Sequence, residues 1–285
     1  MPTLIDLRRR IRSVKSTQQI TKAMKMVSAA KLRRAQERMF AARPYAAKMA
    51  QVLASLATRA NPENHPLLKV KGDQNVELMV VTADKGLCGA FNANLIKAAL
   101  YFLDDRKDYN LSLHLIGRKG ADFFKKRRYR VSKQYINLFR NVQYTQATEI
   151  AKTTIDAYLE GNLDAIYLIY NEFKSALQQR IIVKRLLPFE KLPDATAAQA
   201  LDYIYEPDPA TIFDRLLPQY LEVQIFQALL ESSAAEHAAR MAAMDSATKN
   251  AKEMIDSLTL KMNKIRQAAI TKEIIEVVSG AQEFA

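Results

Sequence analysis

Tryptophan is absent from this chain of 285 residues, cysteine occurs once, histidine three times and glycine seven times. The lone Cys88 excludes an internal disulfide, and His65, His114 and His237 are too widely separated for a metal-ligand spacing. No apolar run approaches the roughly 18 residues of a membrane span, and the start MPTLIDLRRR lacks the apolar stretch of a secretion signal. These absences predict a cytosolic, soluble chain without disulfides, metal or other cofactor. Apolar residues make up 49% of the sequence, enough for a sizeable core.

Positive charge is abundant and unevenly placed. The net charge is +13, and residues 1–48 carry 13 Lys/Arg against only Asp6 and Glu37. Residues 211–285 carry 8 bases against 10 acids. A basic block of this kind attracts nucleic acid, anionic lipid or an acidic protein surface, and charge alone does not choose among them.

Glycine is equally uneven: six of the seven lie between Gly72 and Gly161. From Thr3 to Ala60 the only helix breaker is Pro44, so one helix of about 55 residues is expected there, with a kink near Pro44 allowed. Between Thr211 and Ser279 the only breaker is Pro218. Ala251, Ile255, Leu258, Met262, Ile265 and Ala269 alternate in steps of four and three, the rhythm of a coiled-coil seam. Leu4, Leu7, Ile11 and Val14 keep that rhythm, and the stripe is expected to continue through Ile20, Met24 and Val27 to Leu32, Ala35 and Met39. Complementary seams at the two chain ends predict a long antiparallel coiled coil.

The middle of the chain has another grammar. VELMVV (Val76 to Val81), LSLHLIG (Leu111 to Gly117) and DAIYLIYN (Asp164 to Asn171) are strand-like, and IIVKRLLP (Ile181 to Pro188) is a candidate fourth strand. Helical stretches between them predict a small doubly wound, Rossmann-like α/β domain. The expected division is 1–60 for the first long helix, 61–210 for the α/β domain and 211–285 for the last helix. Four prolines from Pro188 to Pro209 mark a surface excursion before that helix.

No catalytic constellation stands out. ADKGLCGAFN follows a strand and precedes a helix, the position at which α/β proteins hold phosphates, but neither GxGxxG nor GxxxxGK[ST] is present. A tight turn is the favoured reading of that loop, and an inert thiol that of Cys88. The basic helix has no aromatic residue before Phe40 to stack on bases or to anchor in a membrane surface. An acidic protein surface is the favoured partner, with a basic nucleic-acid-binding coiled coil kept as the alternative.

RIRSVKSTQQITKAMKMVSAAKL, TADKGLCGAFN, YIYEPDP, ARMAAMDSATKNA and ITKEIIEVVSGA occur in that order along the chain. With these blocks the whole sequence resembles the gamma subunit of the F1 sector of bacterial F-type ATP synthases. The resemblance implies a central-stalk rotor that is not itself catalytic, in a proton-translocating complex at the cytoplasmic face of the inner membrane. Its implied partners are the hexamer of alpha and beta subunits around the paired helices, and epsilon and the c-subunit ring below. It implies no nucleic acid, no nucleotide on this chain, and membrane association only through the complex. Met24, Lys25, Arg240, Gln267, Thr271, Glu273, Ile274, Ile275 and Val278 match the pattern's contacts with the alpha and beta sleeve. Tyr203, Tyr205, Glu206 and Asp208 match its contacts with epsilon and the c ring. Chloroplast members carry an inserted cysteine pair that makes rotation redox-sensitive. With Cys88 alone, this chain is not expected to be regulated that way.

Overall fold

A computed structural model describes residues 3–57, 65–175, 178–189, 206 and 208–283, with side chains at 280–283 left aside. Helix α1 spans Leu4–Ala57 and helix α5 spans Pro209–Glu283. Between them lie β1 (Asn75–Val81), α2 (Phe91–Asp105), β2 (Asn110–Ile116), α3 (Arg118–Phe124), β3 (Arg130–Tyr135), α4 (Tyr144–Leu159), β4 (Ala165–Phe173) and β5 (Gln179–Leu187). At about 1.5 Å per residue, the 54 residues of α1 and the 75 of α5 make helices of roughly 80 and 110 Å. Pro44 and Pro218 are accommodated within them.

Both long helices begin where side chains satisfy free backbone donors. Thr3 Oγ1 accepts from the Asp6 amide at 3.2 Å while Asp6 Oδ2 accepts from the Thr3 amide at 3.2 Å, a reciprocal cap. Asp208 Oδ1 accepts from the Thr211 amide at 2.9 Å, and Pro209 occupies the first helical position, where no amide is needed.

The chain forms two compact units, residues 1–28 with 241–285, and residues 29–240. In the first unit the two helix ends pair antiparallel. Thr248 Oγ1 lies 2.8 Å from Thr21 Oγ1, and Lys25 Nζ lies 2.5 Å from Asp245 Oδ1. Facing positions therefore add up to 269 or 270. Continued along the helices, that register sets Val14 against Ile255, Ile11 against Leu258 and Leu7 against Met262. All six seam positions expected from Ala251 to Ala269 are buried or half-buried.

The stripe on α1 departs from expectation at two places. Ile20 and Val27 are more than half exposed, and the seam runs instead through Gln18, Thr21 and Ser28, of which Thr21 and Ser28 are buried. Helix geometry holds the seam to steps of three and four, so its phase outranks the polarity of any one side chain. Thr21 Oγ1 recovers its hydrogen bonds by donating locally to Gln18 O and accepting across the pair from Thr248 Oγ1.

The second unit contains a five-stranded sheet in the order β3-β2-β1-β4-β5. Parallel pairing joins β1 to β2 and β4, and β2 to β3, while β5 runs antiparallel to β4. Central β1 is buried from Val76 to Val81, which is why its sequence is apolar on both faces except at Glu77, rather than alternating. The strand order reverses at β1, so right-handed crossovers put α2 and α3 on one face and α4 on the other.

Sequence patterning does not reveal β3. RVSKQY is exposed along most of its length, as an edge strand without an apolar face is. Its anchor is polar: Ser132 Oγ donates to the buried carboxylate of Glu77, and His114 Nδ1 lies 3.5 Å from the other Glu77 oxygen while its ring stacks on Tyr135. Burial pushes the Glu77 pKa up, but His114 and Ser132 outweigh it and hold this carboxyl below its ordinary value.

Candidate functional site

The crevice beyond the carboxyl ends of β1 and β4 is where doubly wound folds bind ligands. On the side of β1 that faces β2 and β3, the space beyond the strand ends is taken by the chain's own groups. Asp84 Oδ1 accepts from the amides of Arg118 at 3.0 Å and Asn137 at 2.8 Å, and Asp84 Oδ2 accepts from Phe139 at 3.2 Å. A carboxylate thus caps the first amide of α3. Gly117 allows this close crossing: its φ is +94°, and a Cβ there would lie 1.9 Å from Thr82 O.

The loop after β1 is clamped from the other side by Arg240. Its Nη2 donates to Gly86 O at 3.0 Å and Lys85 O at 3.3 Å, and pairs with Glu236 Oε1 at 2.7 Å. Arg240 is 9% exposed, so among the expected contact residues it is one turned inward. Burial raises the Glu236 pKa despite Arg240, and burial followed by the charges of Arg240 and Lys31 pushes His237 down to about 4. Cys88 is buried beside Asn92, and desolvation raises its thiol pKa, which favours the unreactive form.

In the first unit, Met24 is half-buried and Lys25 joins Asp245. Asp245 also meets Lys249 Nζ at 3.1 Å; hydrogen bonds from Lys25, then Lys249, lower its pKa. Ile20, Met26 and Val27 stand exposed on the same stretch of α1. As contacts, the sequence singles out only Met24 and Lys25 there. Large apolar side chains outside the 3-4 phase are the signal for the others.

The register has a consequence at the far end of α5. With Thr3 facing position 266 or 267, the helix beyond has no partner from α1. Residues 271–279 are exposed all round, including Thr271, Glu273, Ile274, Ile275 and Val278, and Gln267 is exposed as well. Ile274 and Ile275 are each 58% exposed and Val277 71%. At the other end of α5, Glu206 is exposed and Asp208 is the helix cap, while Tyr203 and Tyr205 lie outside the described residues.

A family model described as ATP synthase matches residues 3–283. The chain is 55% identical to the ATP synthase gamma chain of Solibacter usitatus over 285 residues, covering 99% of each. It is 50% identical to that of Pelotomaculum thermopropionicum, again over 99% of each. Among solved structures it resembles a chain of the Tetrahymena thermophila mitochondrial ATP synthase central stalk and c ring, with a TM-score of 0.62, 26% identity, and coverage of 80% and 99%. A Euglena gracilis mitochondrial ATP synthase chain shares the fold at a TM-score of 0.70 and 17% identity, with coverage of 99% and 94%. The protein is thus a subunit of the ATP synthase class. More particularly, it belongs to the ATP synthase gamma-chain family, the rotor of the central stalk. None of these relatives points toward nucleic acid. The assembly it belongs to is a membrane complex, and among the described residues no helix is long and apolar enough to cross a membrane.

Proposed function

We propose that this chain transmits torque between a membrane ring of c subunits and a catalytic hexamer of alpha and beta subunits, on the cytoplasmic face of the inner membrane. The observation that carries this reading is the unpaired end of α5, where Ile270, Ile274, Ile275, Val277 and Val278 are all exposed. A helix of that kind is stable in water only with a surrounding surface to take its apolar groups. A sleeve of alpha and beta subunits supplies one with few directional bonds, so the helix turns within it. Met24, Lys25, Gln267, Thr271, Glu273, Ile274, Ile275 and Val278 form the contact with that sleeve, helped by exposed Ile20, Met26 and Val27. Arg240 contributes indirectly by fixing the loop after β1.

Tyr203, Tyr205, Glu206 and Asp208 contact epsilon and the c ring. Residues 1–60 and 211–285 act as the shaft and 61–210 as the body. Catalysis resides in the partner subunits, a reading supported by the lack of GxGxxG and GxxxxGK[ST] in the loop after β1. Differential contact of one asymmetric shaft with three like sites supplies the free-energy difference between their states. The test is deletion of Ile274 to Ala285 in the assembled complex. Weakened assembly or loss of coupling between ATP hydrolysis and proton pumping is expected; unchanged assembly and coupling would sink the proposal.

A further inference from the structure

The strongest feature left unused is a groove of about 240 Å³ lined by Lys31, Arg34 and Arg38 of α1, Arg140 of the turn before α4, and Ser233 and His237 of α5. Lys31, Arg34 and Arg38 recur at spacings of three and four, so they share one helix face. Arg140 joins them in lining the groove, from a different element.

Two observations set this groove apart from an ordinary solvated basic face. Arg38 is held in place: Nη1 donates to Asn141 Oδ1 at 3.0 Å and Nη2 to Val142 O at 2.6 Å. A fixed guanidinium loses little freedom on meeting a ligand. Among the described residues no carboxylate lines the groove, and the nearby Glu236 is already paired with Arg240 at 2.7 Å. His237, depressed to about 4, is neutral near pH 7 and adds no positive charge, leaving the four Lys and Arg side chains without an acid among them.

We propose that this groove is a binding site for a phosphate oxyanion. The forked guanidinium groups match phosphate geometry, and the groove is large enough for a phosphate or pyrophosphate group. The same chemistry is offered by soluble phosphates and by anionic lipid headgroups. The inference stands independently of the torque reading, since it concerns only residues 31–237.

The experiment is a phosphorus NMR titration of inorganic pyrophosphate with the full-length chain at near-physiological salt. Saturable one-site binding is expected, weakened at least about tenfold in a variant combining Arg34→Gln and Arg140→Gln. A second variant, Lys31→Gln, guards against a folding defect in the first and should weaken binding in the same direction. A control combining Lys125→Gln and Lys126→Gln, in the exposed basic turn after α3, should bind as the parent does. Response to free pyrophosphate identifies a soluble phosphate. Binding only to phosphatidylglycerol vesicles, lost in the Arg34/Arg140 variant, identifies a headgroup. Three results overturn the site: no saturable binding to either probe, equal loss in the Lys125/Lys126 control, or tighter competition by a hexaglutamate peptide than by pyrophosphate.

Discussion

Residues 228–238 and 270–279 belong to the same helix and live in opposite surroundings. In the first stretch nearly every residue is buried, and small side chains such as Ser232, Ala234, Ala235 and Ala238 let neighbouring backbones approach closely. In the second stretch every residue is exposed, and β-branched residues dominate, which are mediocre helix formers. The buried stretch owes its helix to packing within the chain. The bare stretch has no such support, so its apolar surface points to something outside the chain. One helix thus uses its apolar side chains in two ways, and burial separates them.

The sharpest way to break this comparison is to remove packing where packing is the cause. Leu229 is fully buried, so Leu229→Ala should destabilise the chain by about 2–5 kcal/mol in denaturant unfolding. A loss below about 1 kcal/mol would mean that the buried stretch tolerates voids and is not the support inferred here.

The buried stretch also carries Glu231, 3% exposed, with Oε2 lacking any hydrogen-bond partner among the described residues. Desolvation raises its pKa; Gln227 partly opposes this through a hydrogen bond, and Glu172 adds to it. A carboxyl whose folded pKa lies above its unfolded value holds its proton longer in the folded state. Stability from this group is present below the unfolded value of 4.5 and is lost as pH rises from there through the raised folded value. Glu231→Gln should remove that slope and stabilise the chain at neutral pH. Parallel stability-versus-pH curves for parent and variant, from pH 4 upward, would contradict the assignment.

How far the sequence discloses all this depends on what the signal is made of. Long helices and the α5 seam are legible because the 3-4 spacing repeats over many residues. β1 and β4 are legible as apolar runs. β3 is not, because Ser132, Glu77 and His114 hold it by polar contacts between residues 19 to 55 positions apart in sequence. For the same reason the inward role of Arg240 is not legible: the resemblance offers it as a contact, and nothing local announces that its guanidinium reaches Lys85 and Gly86. The polar seam at Thr21 and Ser28 is hidden by Ile20 and Val27, apolar neighbours one position out of phase.

That polar seam predicts a smaller effect. Asp245→Asn removes the partner of both Lys25 and Lys249. The pair is partly exposed and screened, so the unfolding midpoint should fall only slightly at low salt and hardly at all at high salt. The paired and unpaired parts of α5 would be less distinct than drawn here if this loss matched that of Leu229→Ala.

The smallest effect on the isolated chain is expected at the bare end. Ile274→Ser combined with Ile275→Ser removes two side chains that are each 58% exposed and have no packing to lose, so chain stability should change by no more than about 0.5 kcal/mol. In the assembled complex the same change puts hydroxyl groups against apolar walls, and assembly or coupling should suffer. The two readouts must diverge. A change that destabilises the isolated chain would show that the end of α5 packs on its own molecule. One that leaves both readouts untouched would leave the apolar surface with no function, and with it the reason for reading this helix end as a bearing.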